Sequence, residues 1–463
     1  MNQIFLSHAA DTPLYLCGAG TAAPFRGAAY SPLGDPLAAQ AQSSARSRND
    51  RIDDTIELVL EDNSAGSLSA AYGKIEYFLN LAKDYTANQV GKPVYLECIG
   101  AAGEVASRSP VADGWLEIAG GERAHGSVGL RLHMARAPWW ETSAEQQLKV
   151  ALAGQASSLA ELAICNHNDD DTGHDNFFRI LGADIAGDLP APCRIEIRAS
   201  INAIYNFWIG GDRFPSPSGD LFLDNSLFES LFTNTANGTT VADATCSYGH
   251  KLNLSWAGAA ETLLFQWALL ANNTAPGQGR IYKPVMRCPG GIGAADLWLR
   301  FRTLGISGNV IWDGPFTLCP SGVEMFDLAP IQVPPNLVHM ADKYGPITIE
   351  CLGKRIAGGA TAFSFDYLSL MPTDFFIKGL ARSTGCVQGR TLYVDGMAEE
   401  IYSGTNRNGG FDNDFQVMGG PVFLLYPGKT HQIMIHTTGS AAAASIWNAY
   451  GITVFYRPRR RLL

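Results

Sequence analysis

The sequence has few charged residues and lacks the common catalytic motifs. Charged side chains make up 17% of the 463 residues, against roughly 25% in an average soluble domain. It has no HExxH metal motif and no GxSxG nucleophile turn, so zinc-protease and α/β-hydrolase chemistry is not predicted. Gly428-Lys429-Thr430 resembles the end of a phosphate-binding loop, but Phe423 occupies the position of its first glycine. We therefore expect no catalytic residues, no cofactor-binding residues and a protein that is not an enzyme.

The cysteines form no CxxC pair, and their number is odd. The nine are Cys17, Cys98, Cys165, Cys193, Cys246, Cys288, Cys319, Cys351 and Cys386. Most lie in or beside apolar runs, which predicts buried free thiols rather than a disulfide framework or a zinc site. No apolar segment reaches the ~20 residues of a membrane helix, and the N-terminus lacks the regions of a signal peptide. We expect no membrane span and synthesis in a reducing cytoplasm.

Positive charge is also scarce. The net charge is −10 and the pI is about 5.4, and no basic face is evident, so nucleic acid is not an expected partner. The only basic cluster lies at the C-terminus, at Arg457, Arg459, Arg460 and Arg461. We interpret it as a solvated tail.

What the sequence does contain is a clear order of strand, helix and strand between residues 55 and 140. Residues 55–61 alternate apolar and polar side chains, which is typical of a half-buried strand. Residues 65–88 are predicted to form one helix, because apolar residues recur there every three or four positions. They are Leu68, Ala71, Tyr72, Ile75, Phe78, Leu79, Ala82 and Tyr85. Further strands are predicted at 94–99, 114–118 and 127–134, so a sheet covered by one helix would have its own core.

The rest of the chain has a β pattern. Residues 20–50 show no regular spacing of apolar residues, which predicts an extended arm. In an assembly, this arm would lie on a neighbouring subunit. Residues 149–372 contain many short β-like runs separated by turn residues, which predicts a jelly-roll β-sandwich. Within it, 263–269 fits a buried strand, although a short helix at 260–271 is an alternative.

The last 91 residues, 373–463, predict a C-terminal β segment. Four strands with little helix make a marginal core, so we expect this segment to pack on the first domain. The predicted fold class is therefore mainly β. It has a β-sandwich domain with one helix at 1–148, a jelly-roll sandwich at 149–372 and the C-terminal β segment.

One acidic loop is a candidate cation site. Asp169, Asp171 and Asp175 offer carboxylate oxygens, and Gly173 allows a turn between them, which is the oxygen-rich chemistry that Ca²⁺ prefers. The spacing is not that of an EF-hand, because no Glu follows at the twelfth place. An exposed acidic loop without a metal is the alternative.

The middle region is also rich in aromatic residues. They include Tyr205, Phe207, Trp208, Phe214, Trp256, Trp267, Trp298 and Trp312. Aromatic side chains exposed on a jelly roll can stack on sugar rings, but an aromatic residue in a strand more often belongs to the core. Both interpretations stay open from the sequence.

Two parts of the chain share a pattern with a known family. The pattern consists of residues 55–61, the helix, 94–97, 126–132 and Ala137-Pro138-Trp139-Trp140-Glu141, and at the C-terminus of 425–428 and 452–459. Together these segments resemble the hub domain of siphophage distal tail proteins and related minor tail components. The resemblance covers about residues 50–145 and 420–460. In that family the hub forms a ring below the tail tube and carries outward-facing jelly-roll modules, some of which bind sugars. The family offers no catalytic residues to assign here.

The resemblance implies a structural protein of a tailed-phage virion, located at the tail tip and made in the host cytoplasm. Its expected partners are other copies of itself in a ring of six or three, tail-tube and tail-tip proteins, and host surface glycans. A ring closes when each subunit uses two different surfaces related by a closing rotation. The alternatives are a lectin-like carbohydrate-binding protein and a tail-associated glycan-cleaving enzyme, which would need two carboxylates about 5–10 Å apart.

Overall fold

The fold is mainly β, as the sequence predicts. The computed structural model describes residues 3–9, 11–17, 25–26, 51–60, 65–88, 91–99, 106–119, 127–152, 155–166, 176–212, 232–234, 237–257, 259–269, 280–305, 307–333, 347–407, 414–420, 422–440 and 450–461. Within these ranges there is one α-helix, together with short 3₁₀ turns at Gly182–Asp184 and Ser247–Gly249. No helix in the described ranges is both long enough and apolar enough to span a membrane.

The N-terminal unit is an antiparallel sheet covered by the helix. Its elements are β1 (Gln3–His8), β2 (Leu14–Cys17), β3 (Phe25–Arg26), β4 (Ile52–Leu60), α1 (Ala65–Asn88), β5 (Val94–Ile99), β6 (Ser107–Ala119), β7 (Val128–Arg136) and β8 (Trp140–Thr142). The main path of the sheet runs β2-β1-β5-β6-β7-β4-β3, and β2 also contacts β3. The sheet therefore curls until its two edges approach each other.

Local alternation explains which face of this sheet is buried. In β4, Ile56, Leu58 and Leu60 are buried, whereas Thr55 and Glu57 between them are exposed. The buried face packs against Ile75, Phe78 and Leu79 of α1 and its neighbours. The predicted helix bounds, 65–88, coincide with those of α1. The opposite face of β4, β6 and β7 carries no helix among the described residues.

The central sandwich begins after β8. Its first strands are β9 (Gln146–Leu148), β10 (Leu162–Ile164), β11 (Phe177–Ile180), β12 (Ala191–Arg198) and β13 (Asn206–Asp212). The chain then leaves this sandwich and builds a further unit before it returns.

That further unit, which we call the insert, comprises thirteen strands. They are β14 (Phe232–Asn234), β15 (Gly238–Ala242), β16 (His250–Ala257), β17 (Thr262–Leu269), β18 (Arg280–Arg287), β19 (Leu297–Leu304), β20 (Val310–Asp313), β21 (Thr317–Leu318), β22 (Met325–Asp327), β23 (Ile331–Val333), β24 (Ile347–Arg355), β25 (Ala360–Phe365) and β26 (Tyr367–Pro372). Residues 263–269 lie in β17, so the strand interpretation of that segment is confirmed and the helix alternative is wrong.

The chain then returns to the central sandwich. The remaining strands are β27 (Phe375–Ala381), β28 (Thr391–Asp395), β29 (Glu400–Gly404), β30 (Phe415–Met418), β31 (Leu424–Leu425), β32 (His431–Thr438), β33 (Tyr450–Tyr456) and β34 (Arg459–Arg460). One sheet of the sandwich runs β10-β33-β12-β28-β29 and the other runs β11-β32-β13-β27-β30. Because β13 and β27 pair directly, the insert leaves and re-enters through two neighbouring strands.

Three large hydrophobic cores result. One belongs to the N-terminal unit, one lies between the two sheets of the central sandwich, and one fills the insert. The central core combines residues 148–209 with residues 375–456. The domain limits at 148 and 372 stay predictions. The strand pairing places residues before and after the insert in one sandwich, although these segments are far apart in sequence. Periodicity reveals strands and not their partners.

Candidate functional site

The predicted cation loop cannot be placed. Asp169, Asp171 and Asp175 lie outside the described residues, as do most of the predicted arm at 20–50 and the aromatic residue Phe214. In the ranges that the structure describes, no group of three or more His, Cys, Asp or Glu side chains is arranged to hold a metal ion. The Ca²⁺ site at these three aspartates stays a prediction.

Four of the seven described aromatic residues considered for sugar stacking belong to cores. Phe207, Trp208, Trp256 and Trp267 are buried, so their rings are not open to a ligand. Tyr205, Trp298 and Trp312 are only partly exposed, and Trp312 packs against the core of the insert.

The prediction of buried thiols is confirmed. All nine cysteines are buried. Burial raises the pKa of Cys98 and of Cys319 to about 12, because an apolar environment disfavours the thiolate. Cys98 and Cys319 therefore stay protonated at neutral pH and act as small hydrophobic residues.

The first joint of the molecule connects the N-terminal unit to the central sandwich. In this joint, strand β34 near the C-terminus pairs with β8 of the N-terminal sheet. Trp139 and Trp140 are consecutive, but Trp140 packs into the N-terminal core and Trp139 contacts Leu189 of the central sandwich. Two adjacent tryptophans thus anchor the two units to each other.

Two glutamates of this joint hold arginines from both units. Glu141 pairs with Arg108 at 3.0 Å and with Arg459 at 3.4 Å, and all three side chains are largely buried. Arg459 also lies over the ring of Trp139, 4.3 Å from its centroid. The interaction of a guanidinium with an aromatic face adds to the ion pair.

The second glutamate, Glu145, is surrounded by three arginines. Its carboxylate lies 2.8 Å from Arg194, 2.8 Å from Arg457 and 2.5 Å from Arg407. Burial opposes ionisation of this carboxyl group, but the three guanidinium groups outweigh it and hold the pKa of Glu145 below its ordinary value. Arg194 pairs in addition with Glu196 at 2.9 Å.

For Arg457 and Arg459, these contacts show that the interpretation as a solvated tail is wrong, whereas Arg460 is exposed. Arg457 and Arg459 are largely buried, and burial lowers the pKa of each. A signal for this was present in the sequence, because β33 ends at Tyr456, directly before them, and the chain is still within a sheet at that point. Composition alone could not show it, since the carboxylates that pair with them are more than 300 residues away.

A cleft of about 590 Å³ opens beside this joint. The N-terminal unit lines it with residues that include Tyr85, Lys92 and Glu97, and the central sandwich with residues that include Asp395 and Glu400. Its charges are largely paired within the protein, since Lys92 lies 3.6 Å from Glu400 and Ser7 donates a hydrogen bond to Glu97. The pair of Lys92 with Glu400 therefore adds a contact between the N-terminal unit and the central sandwich at the mouth of the cleft.

The second joint connects the central sandwich to the insert, and it is mainly apolar. Its hydrophobic cluster is formed by Phe177, Trp208, Val285, Met325, Tyr367, Met371 and Met434. One carboxylate crosses the joint: Asp327 of the insert accepts a hydrogen bond from Trp208 Nε1 at 3.1 Å. Asp327 also pairs with Lys283 at 2.9 Å and with Lys378 of the central sandwich.

A buried histidine completes the second joint. His436 Nε2 lies 3.3 Å from Asn176 Nδ2, and its ring stacks on Tyr367 with 5.7 Å between the centroids. Burial lowers the pKa of His436 to about 3, so the ring is neutral at physiological pH. Asn176 Nδ2 can only donate, so a proton on Nε2 would oppose this hydrogen bond.

Comparisons with known proteins give no family for this chain. No family model matches it, and no curated protein matches it significantly. Similar solved structures include a chain of the phage P2 baseplate in its activated conformation with calcium, at 11% identity and a TM-score of 0.23, covering 95% of this chain and 99% of that chain. A strontium form of that baseplate gives 12% identity, a TM-score of 0.23 and the same coverage. Infectious bursal disease virus, Gt strain, gives 10% identity, a TM-score of 0.17 and coverage of 58% and 65%. TM-scores this low carry no argument for a shared fold or function.

Proposed function

We propose that this protein is a structural component of a tailed-phage virion, a ring-forming distal-tail or minor-tail subunit at the tail tip. The proposal includes no catalytic activity. Its partners would be further copies of the chain in a ring of six or three, together with tail-tube and tail-tip proteins. Contact with host surface glycans would contribute to attachment.

The observation that carries the proposal is the way in which three cores are built into one chain. The unit that resembles a tail hub in sequence is tied to the central sandwich by β8, β34 and the arginines around Glu141 and Glu145. The sandwich in turn carries the insert between β13 and β27. A subunit of this kind holds an inserted module in a fixed position relative to a ring, as a structural protein that presents this module on the tail would need.

The experiment that tests the proposal is the mass of the purified protein in solution. Light scattering at several concentrations, followed by particle imaging, should give a discrete ring of three or six copies. Addition of purified phage tails extends the test to a ring that closes only on the tail tube. A monomer at every concentration that also fails to bind tails would contradict the proposal.

A further inference from the structure

The open face of the N-terminal sheet carries one prominent aromatic residue. Trp115 is 61% exposed on the face of β6 that points away from α1. Directly opposite it on β7 is His133, and opposite His133 on β4 is Thr55. The three residues form one row across the sheet.

The position of the Trp115 ring is fixed by its neighbour. The rings of Trp115 and His133 are stacked, with 4.7 Å between their centroids and 16° between their planes. His133 is itself held at both nitrogens, by Thr55 Oγ1 at 3.2 Å and by Glu117 Oε2 at 3.0 Å. A carboxylate only accepts, so Nε2–H donates to Glu117, and in the neutral ring Nδ1 then accepts from the Thr55 hydroxyl. Trp115 is therefore pre-oriented, with most of its surface open.

The next row along the strands is polar. Glu117, Arg131 and Glu57 lie opposite one another on β6, β7 and β4, and Arg131 Nε lies 3.4 Å from Glu57 Oε1. Two residues along a strand span roughly 7 Å, so a sugar ring next to one that stacks on Trp115 can reach this row. Beyond this row, Ala119 and Gly129 leave the surface flat.

We propose that this face, defined by Thr55, Glu57, Trp115, Glu117, Arg131 and His133, binds a neutral oligosaccharide. The apolar face of one pyranose ring stacks on Trp115, and the hydroxyl groups of the next ring exchange hydrogen bonds with the row of Glu117, Arg131 and Glu57. Two carboxylates against one guanidinium disfavour a polyanion. The site lies in the N-terminal unit and not among the aromatic residues of 149–372, for which the sequence leaves sugar stacking and burial in the core both open.

The composition of the face favours a sugar over a protein partner. The cores of protein interfaces are depleted in charged residues, whereas here the single large aromatic ring is bordered by two carboxylates and a guanidinium. Among the described residues of β4, β6 and β7 on this face, Val59 is the other apolar residue that is more than one third exposed, at 38%. A fixed aromatic platform with polar groups beside it is the arrangement that stacking and hydrogen bonding to a sugar require.

The test is isothermal titration of the full-length protein with chitotetraose and with cellotetraose, using a heparin tetrasaccharide as the polyanionic comparator. Trp115→Ala should weaken binding of the neutral tetrasaccharide by about tenfold, which corresponds to about 1.4 kcal/mol of lost stacking. Trp115→Phe keeps an aromatic face and should stay within about threefold of the parent. Tyr77→Ala is the matched control, because Tyr77 is an exposed aromatic residue on α1 and its loss should leave the affinity unchanged.

The inference does not depend on the proposed ring, because solution mass tests the ring and titration tests the sugar. Circular dichroism of each variant establishes that it is folded, and Trp115→Phe remains informative if Trp115→Ala is not. Failure of both neutral tetrasaccharides to bind the parent protein would overturn the inference. So would equal affinities of the parent and Trp115→Ala. A change of solution mass in Trp115→Ala without sugar binding would identify the face as a protein contact instead.

Discussion

The two joints of this molecule are built from opposite chemistries. The joint between the N-terminal unit and the central sandwich depends on Glu141 and Glu145 with their arginines, whereas the joint to the insert is an apolar cluster around Trp208 with one carboxylate, Asp327. A buried ion pair is costly to break but contributes little beyond what its desolvation costs. Apolar contact contributes in proportion to the area buried.

Because of this difference, we expect the two joints to respond to different kinds of substitution. The charged joint fixes an orientation through geometry and is sensitive to loss of a single partner. The apolar joint holds through packing and is sensitive to cavities and to charge that appears inside it. Four substitutions, taken from the largest expected effect to the smallest, test that contrast.

Removing Trp208 should have the largest effect. Trp208→Ala leaves a cavity in the apolar joint and removes a hydrogen bond to Asp327, so we expect the free energy of unfolding to fall by about 3–5 kcal/mol. Denaturant unfolding measures the loss, and hydrogen exchange should locate it at β13, β22 and β26. Trp298→Ala, at a partly exposed tryptophan of the insert, is the control and should lose less. Equal losses at the two positions would show that the joint has no special dependence on packing.

Neutralising Glu141 should come second. Glu141→Gln leaves Arg108 and Arg459 largely buried without their counter-charge, so we expect a loss of about 3 kcal/mol in the free energy of unfolding. The same change at Glu57, whose pair with Arg131 is exposed, should cost less than about 1 kcal/mol. Chemical denaturation of both variants provides the comparison. If Glu141→Gln cost no more than Glu57→Gln, the pairs of the first joint would be as weak as surface pairs.

The third test uses pH. The folded-state pKa of His436, about 3, lies below its ordinary value of 6.5, so its stabilising contribution is complete above pH 6.5 and is lost as the pH falls towards 3. At pH 5 about 2 kcal/mol of this stabilising contribution has been lost. His436→Asn cannot take up this proton, so the stability difference between parent and variant should shrink or reverse from pH 7 to pH 5.

A difference measurement is needed because a second buried group titrates in the opposite sense. Burial raises the pKa of Asp366 to about 6 despite its pair with Arg287, so its contribution grows as the pH falls from about 6 towards 3.8. This contribution is common to both proteins and cancels in the difference. A stability difference that does not change with pH would rule out a buried neutral His436.

The smallest effect is expected at Gly187, beside the first joint. Its φ is +101°, and a Cβ added there would lie 2.5 Å from the carbonyl oxygen of Arg459. Gly187→Ala should lower the melting temperature more than Gly249→Ala, where φ is +70° but no atom lies within 4 Å. Backbone strain alone costs about 1 kcal/mol, so the excess at Gly187 measures how tightly the C-terminal segment is held. Equal shifts would mean that this segment moves aside freely.

Much of the local structure could be predicted from the sequence. Residues 65–88 and 94–99 were predicted with the bounds of α1 and β5, because a regular apolar period is a local property. Trp115 was placed in a strand, but its exposure and its stacking on His133 were not predicted, since both depend on which strand lies beside β6. The prediction of a solvated tail is wrong for Arg457 and Arg459 for the same reason, because their carboxylate partners lie far away in the sequence.

The sequence by itself determined several of the strands, where the one described helix begins and ends, and which side chains of a strand such as β4 face inward. Tertiary structure decided which strands share a sheet. Ile195 of β12 lies beside Val454 of β33, and Arg194 lies beside carboxylates from three separate segments. Alternation along a strand specifies a buried face but not the partner that covers it, because many apolar faces would satisfy the same pattern. Only the packing of complete sheets, which brings buried charges such as Arg194 to their partners, selects one arrangement.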